Sequence, residues 1–449
     1  VKTLAKTVGG LALALVLAGC SNETPLPGER LEIRSPEGLT VGGEAAPRIE
    51  GATPASALSR DVPISLPGQV NHAAWTHRGG SPVHRLQHPA LGAAQTLVWS
   101  ADIGAGESRK LKITADPVVA DGRIFTLDAL SRVSGLSTGG ATLWSRDLTP
   151  ASDRSKDSSG GGLAIGGGRL FVTTGFGELH ALDPATGRTL WVQGFDAPVA
   201  GAPTVYGDLV YVSSRDNRAF AVRASDGRLR WELPLAPTPS ATVNGAGPAV
   251  TSRVAVFPFG SAELVAALRQ GGVRVWSSTV AGERRGRAYA GVNDISSDPV
   301  VVGNTLYAGS PSGRIAAIDV NSGERIWTAT EGAMSPVVVE GGSVFAVTDI
   351  QQLVRINAAT GEVIWRTDLP GFKNERPRRY QAVYAHYGPV LAGGKLLVAS
   401  DDGVLRSFSP QSGALLSQVA LPAGATTNPV VVNRTLYLVT TKGQLVAYR

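Results

Sequence analysis

The sequence predicts an all-β protein, an eight-bladed β-propeller of four-stranded antiparallel blades whose ring is closed by an N-terminal strand. Three observations predict it. Trp99, Trp144, Trp191, Trp231, Trp276, Trp327 and Trp365 recur every 38 to 51 residues, a period that marks one supersecondary unit per copy. Each copy reads as four short apolar runs separated by turns rich in Gly, Asn and Ser, with no helical period between them. Gly 55 and Pro 28 among 449 residues supply those turns without a G-X-Y repeat, and 43% hydrophobic against 17% charged residues exclude a disordered chain.

Taken in order, the chain begins with an address. Lys2 and Lys6 precede the apolar run Val8 to Ala18, too short to cross a ~30 Å hydrocarbon core as a helix but suited to a secretory signal. Leu17-Ala18-Gly19-Cys20 resembles a bacterial lipobox, which implies that residues 1–19 are a lipoprotein signal peptide and that Cys20 carries lipid. Ser21 implies sorting to the outer membrane by the rule of such lipoproteins. Several acyl chains at ~0.8 kcal/mol per buried CH₂ make a lasting anchor. Cys20 is the single cysteine, so no intrachain disulfide, CxxC pair or Cys-based zinc site is available.

Residues 20–70 read as the lipidated cysteine and a flexible tether, with seven acidic residues against four basic from Ser21 to Val70. Residues 71–95 are a lead-in segment and residues 96–449 the propeller. The fullest repeat runs from Asp298 to Trp327: a PVVV strand, an Asn turn, LYAGS, a Gly turn, IAAID, then Asn-Ser-Gly and a strand ending in Trp. Gly187, Gly227, Gly323, Gly361 and Gly413 sit where a hairpin needs positive φ. Asp183 and Asp319, four residues earlier, are expected to bond the free turn amides. In the seventh copy Ser417 takes the tryptophan's place. The last copy stops at Arg449, one strand short, and Thr96-Leu97-Val98-Trp99 is expected to supply that strand and remove an exposed edge.

The string A-x-D-x-x-T/S-G-x-x-x-W, complete from Ala181 to Trp191 and from Ala317 to Trp327, resembles the tryptophan-docking motif of PQQ-type quinoprotein propellers. Two kinds of eight-bladed protein share that motif: quinoprotein alcohol dehydrogenases and the BamB family of outer-membrane lipoproteins. The resemblance spans about Thr96 to Arg449, and the lipobox fits the second kind. It implies a non-catalytic scaffold, lipid-anchored on the periplasmic side of the outer membrane. The implied partners are the POTRA domains of BamA and other subunits of the barrel-assembly machinery, nascent outer-membrane proteins being a further candidate. No cofactor is implied, because the dehydrogenases need an adjacent-cysteine disulfide against the quinone.

The family's contact surface maps onto two loops. Ala241, Val243 and Asn244 stand where the family has Leu-x-Leu-Arg. Asp294 matches the first of two acidic residues, and Ser296 replaces the second. Asp294 also reads as a turn cap, and Arg284, Arg285 and Arg287 nearby as displaced positive charge. Reversing Asp294 to Lys is expected to weaken POTRA binding without unfolding.

Other chemistry is thin. His72, His77, His84 and His88 lie within seventeen residues but Pro82 and Pro89 interrupt them, so they read as surface loop residues and no metal site is assigned. Asp294, Asp298, Glu263 and Asp401-Asp402 read as scattered over blade turns. Gly160-Gly161-Gly162 and Gly166-Gly167-Gly168 read as strand turns, since neither opens a helix. Arg378-Arg379-Tyr380 with His386-Tyr387, in a long insertion, reads as a ligand or partner contact. No Lys/Arg run exceeds two residues, which excludes a nucleic-acid stripe despite the formal net charge of +6. The competing reading is a periplasmic saccharide- or peptidoglycan-binding propeller that uses its funnel, and it predicts convergent aromatics and carboxylates there.

Overall fold

The computed structural model describes Thr40–Val41, Glu44–Ala45, and residues 62–199, 201–236, 245–282, 284, 294–295, 297–374, 376 and 382–449. Cys20 lies outside these residues. Thr40–Val41 and Glu44–Ala45 pair as a small antiparallel hairpin within the unit Val1–Glu50.

In the second unit, eight four-stranded sheets follow one another. The fifth blade is representative: Val300–Val302, Thr305–Ser310, Arg314–Asp319 and Arg325–Ala329 pair antiparallel in sequence order. Its second and third strands are buried almost throughout, whereas outer strands such as Leu415–Ala420 alternate between exposed and half-buried. Blades stacked face to face cover both sides of the central strands, which therefore read as continuous apolar runs, while the outer strand keeps one face in water. Eight apolar clusters form the core, each spanning two successive blades. In one of them Ile124 and Leu136 of the first blade meet Tyr437 and Leu445 of the eighth, which closes the circle.

The closing strand is the predicted one. Leu97–Asp102 pairs antiparallel with Gln444–Tyr448, and Thr96 and Arg449 exchange N–H···O bonds of 2.7 and 2.9 Å. Each repeat tryptophan docks on the following blade. Trp144 Nε1 donates to the Pro184 carbonyl (3.1 Å), Trp276 Nε1 to Val320 (2.9 Å) and Trp327 Nε1 to Ala358 (2.8 Å). The rings lie on the turn glycines so closely that a Cβ on Gly413, at φ +70°, would stand 2.7 Å from Trp365 Cε3. Ser417 now has a reason. Its blade faces the eighth, whose third strand Gln444–Tyr448 is followed by no turn because its fourth strand is Leu97–Asp102. There is no turn glycine on which a tryptophan could dock.

Asp183 and Asp319 cap their turns as expected: Asp183 Oδ1 accepts from Ala185 N and Thr186 N, and Asp319 Oδ1 from Asn321 N and Ser322 N. These bonds hold both carboxyls below their ordinary pKa. One expectation is corrected. Gly161 and Gly162 belong to the inner strand Gly161–Gly166, not to a turn. A Cβ on Gly162 would come within 2.3 Å of Ala202 Cα, so the close approach of the third blade requires glycine there.

Candidate functional site

Three of the four lead-in histidines are not on the surface. His77, His84 and His88 are buried, because the segment holding them runs around the inside of the ring and bonds to each blade in turn. Trp75 exchanges two main-chain bonds with Val119 of the first blade (2.7 and 2.8 Å), and the Thr76 carbonyl accepts from Ile165 N of the second (2.8 Å). His77 Nε2 meets Val205 of the third. Pro82 and Val83 accept from Val250 N of the fourth and Val301 N of the fifth (2.8 and 3.1 Å). Arg85 donates to both carboxylate oxygens of Glu340 in the sixth (3.1 and 2.9 Å). Pro89 accepts from Gly393 N of the seventh, and His72 from Asn433 N of the eighth (both 2.9 Å). The ends then meet: Val70 N donates to His88 O (2.9 Å) and Ala90 N to Val70 O (2.8 Å). The result is a closed belt inside the ring, whose main-chain polar groups find partners on the inner strands.

The belt attaches beside the turns that join first and second strands. Connections from an outer strand to the next inner strand therefore open on the opposite face.

At the axis the repeat itself places the polar groups. Asp116, Ala202, Gly247, Asp298, Ser335 and Asn428 each precede the proline at the start of an inner strand, and Gly388 precedes Pro389 within the inner strand His386–Ala392. Asp116 and Asp298 belong to the first and fifth blades, opposite one another in a ring of eight. Arg78 Nε lies 3.3 Å from Asp116 Oδ2 and 3.2 Å from Asp298 Oδ2, all three side chains being buried. Asp298 Oδ1 also accepts from Gly247 N (2.6 Å), and the Asp116 carboxylate accepts from Asn428 N and Nδ2 (2.9 and 2.7 Å). Burial acts to lower the Arg78 pKa, but Asp298 and Asp116 more than offset it and the net shift is upward. For Asp116 burial raises the pKa, against the pull of Arg78 and Asn428. Asp298 is thus an axial residue, not a turn residue. The carboxylates that converge in the funnel are already paired with an arginine of the chain itself, and the adjoining cavity, lined by Trp75, His84, Asp116, Val338 and Asn428 among others, has a volume of about 70 Å³. Enclosing a drug-sized ligand takes ~300 Å³ or more; the open hollow of about 460 Å³ between Ser81–Arg85 of the belt and Val250–Ser252 has that room but no carboxylate in its lining.

His77 makes the belt acid-sensitive. Burial, then neighbouring His84, lowers its pKa to about 3. Nδ1 meets Thr76 Oγ1 (2.8 Å), whose hydroxyl donates to Gly80 O, and Nε2 lies 3.1 Å from both the N and the O of Val205; a neutral ring with its proton on Nδ1 donates to Thr76 Oγ1 and accepts from Val205 N. The unfolded chain takes up this proton near the ordinary value of 6.5 and the folded chain only near 3. Stability from this group is therefore present above pH 6.5 and is lost as pH falls towards 3, amounting to about 2 kcal/mol at pH 5. His84, also lowered by burial, acts in the same direction, and Asp116, raised by burial, in the opposite one. Urea titrations at pH 7 and pH 5 check this: His77→Gln, which keeps an acceptor for Val205 N, is expected to flatten the difference.

The predicted contact residues divide. Ala241, Val243, Asn244 and Ser296 lie outside the described residues, as do Arg285, Arg287, Arg378, Arg379 and Tyr380. Asp294 is buried, 6% exposed, close enough to Arg215 in the third blade to raise its guanidinium pKa against a larger lowering by burial. Charge reversal there would set two cations together in a buried place, so Asp294→Lys tests folding as well as binding and Asp294→Asn is the cleaner variant. His386 is buried too, its Nδ1 bonded to Ser400 Oγ (2.6 Å) and its Nε2 to Pro370 O (2.9 Å). Sequence reasoning missed Arg78, Asp116 and the axial place of Asp298. Aligning the repeats on the proline that opens each inner strand would have shown two aspartates four blades apart. Among the described residues no group of His, Cys, Asp and Glu could hold a metal ion.

Comparison with known proteins gives the same architecture. The family described as "Outer membrane protein assembly factor BamB" matches residues 129–367 and 353–449. The assembly factor BamB of Yersinia pestis is 24% identical over 361 residues, 79% of this chain and 88% of the relative, and that of Alteromonas naphthalenivorans is 27% identical over 308 residues, 65% and 73%. The crystal structure of BamB from Moraxella catarrhalis superposes with a TM-score of 0.64 at 20% identity, covering 79% of this chain and all of that one. The quinohemoprotein alcohol dehydrogenase of Comamonas testosteroni also reaches 0.64, at 13% identity over 84% of this chain and 80% of that one, so the fold alone does not separate scaffold from enzyme. The family model spans most of the chain, and this protein belongs to the outer membrane protein assembly factor BamB family.

Proposed function

We propose that the chain is a non-catalytic scaffold lipoprotein of the outer-membrane β-barrel assembly machinery. It is anchored through Cys20, faces the periplasm, binds the POTRA region of BamA and aids insertion of outer-membrane proteins. The observation that carries the reading, beside family membership, is the sealed axis: Arg78 pairs Asp116 with Asp298 where a propeller ligand site would need free carboxylates. That leaves the face opposite the belt, where each outer strand leads to the next blade, as the working surface, a platform suited to holding other chains. Asp294 contributes there as a buried partner of Arg215 rather than as an exposed charge.

The test is a detergent-solubilised pull-down of the lipidated protein from its own envelope, with mass spectrometry of what co-elutes. A POTRA-containing barrel protein is expected. Its absence under mild conditions, with glycan fragments or quinone recovered instead, would sink the reading.

A further inference from the structure

One position in the repeat breaks its own rule. The third-strand residue opposite the tryptophan, or opposite Ser417 in the seventh blade, is Gly135, Ala181, Ala221, Ala266, Ala317, Ser407 or Ala447 in seven blades, always small, and Arg355 in the sixth. Arg355 is 1% exposed, and among the described residues no carboxylate pairs with it. Its Nε donates to Ser343 Oγ of its own blade (2.9 Å), NH1 to the carbonyls of Val62 (2.7 Å) and of Gln411 in the seventh blade (3.1 Å), and NH2 to Pro63 O (3.1 Å). A buried guanidinium satisfied by carbonyls is held for what it grips. Here it grips the chain just before the belt. Ile64 and Leu66 then lie against the apolar cluster shared by the sixth and seventh blades, and Gly341 lets Ser65 pass, since a Cβ there would stand 2.7 Å from its carbonyl oxygen.

We propose that Arg355 is a positioning residue, a clasp that fixes where the lead-in chain joins the ring, at the junction of the sixth and seventh blades. The inference rests on the reading that the chain ahead of Val62, the larger part of the 20–70 stretch expected to be a tether, links the propeller to lipid; Val62 to Val70 are themselves bound to the ring. Tension on such a tether reaches the ring first at Val62 and Pro63. The clasp takes it up before the belt, and with it Arg78, can be peeled from the axis. The sixth blade thereby gives up the small residue that its tryptophan otherwise faces.

The test uses the full chain, unlipidated, under brief subtilisin digestion with cut sites read by mass spectrometry. Arg355→Ala, which installs the residue most other blades carry, is expected to speed cleavage within residues 62–69 about tenfold through local opening. Cleavage ahead of residue 62 and within the blades should stay unchanged, and Arg355→Lys should restore part of the protection. Unchanged cleavage at 62–69, or equal acceleration in every blade, would overturn the proposal. Should the alanine variant fail to fold, Arg355→Gln is read in the same way. Anchoring is tested separately, because Cys20→Ser releasing the protein from membranes concerns the tether alone, and the cleavage ratio of the unlipidated chain concerns the clasp alone.

Discussion

Replacing Arg78 by methionine is expected to destabilise the propeller by about 3–5 kcal/mol, because it leaves two buried carboxylates facing one another without a counter-ion. Asp116 and Asp298 each lie within 3.3 Å of the same Nε, with side chains no more than 5% exposed. Their remaining partners, Gly247 N, Asn428 N and Asn428 Nδ2, are neutral donors that cannot replace a cation. Burial already raises the Asp116 pKa, so in the variant one carboxyl is expected to take up a proton and stability to improve as pH is lowered towards 5, opposite to the trend set by His77. Urea unfolding of the single variant and of Arg78→Met with Asp116→Asn and Asp298→Asn measures the effect. The triple variant should recover most of the loss. A single variant as stable as the parent would show that the axis is held by the belt's main-chain bonds and not by this ion pair.

Trp365→Ala is expected to cost a similar amount, about 3–5 kcal/mol. Trp365 is the largest fully buried side chain among the described residues. Its ring covers Gly413, stands 6.1 Å from Phe345 by ring centroids and donates from Nε1 to Pro410 O at 3.3 Å. Removing it opens a cavity between two blades that rigid sheets cannot collapse to fill. Trp99, docked in the same manner on Gly140 but only half-buried in the closing blade, should lose markedly less on truncation. Equal losses at the two positions, by urea midpoint at matched slope, would mean that the docking contact and not burial sets the cost.

Much of the propeller was legible because its blades are local. Four strands adjacent in sequence pair with one another, so periodicity, turn glycines and the tryptophan spacing announce the unit, and an unpaired edge at one terminus announces its complement at the other. Trp99 and Gln444–Tyr448 could be matched on that ground alone. Even the exception at Ser417 was visible, although its cause, an eighth blade with no turn to dock on, needed the sheet order.

The belt was not legible. Residues 62–95 carry no strand or helix period, because their partners are single groups on eight different blades, as far away in sequence as Glu340 is from Arg85 and Asn433 from His72. Prolines and scattered histidines of that kind read as a surface loop, and burial reverses the reading. The same holds for Asp294, whose neighbour Arg215 lies two blades away, and for Arg355, which looks like an ordinary strand cation until the carbonyls of Val62, Pro63 and Gln411 surround it. By itself the sequence determined the blade, the number of blades and the way the ring closes, since those rest on pairing between neighbours and on one terminal complement. Only the tertiary structure decided what fills the axis and where the lead-in chain is gripped, because a closed ring brings inner-strand ends from the whole chain to one place and desolvates the charges that meet there.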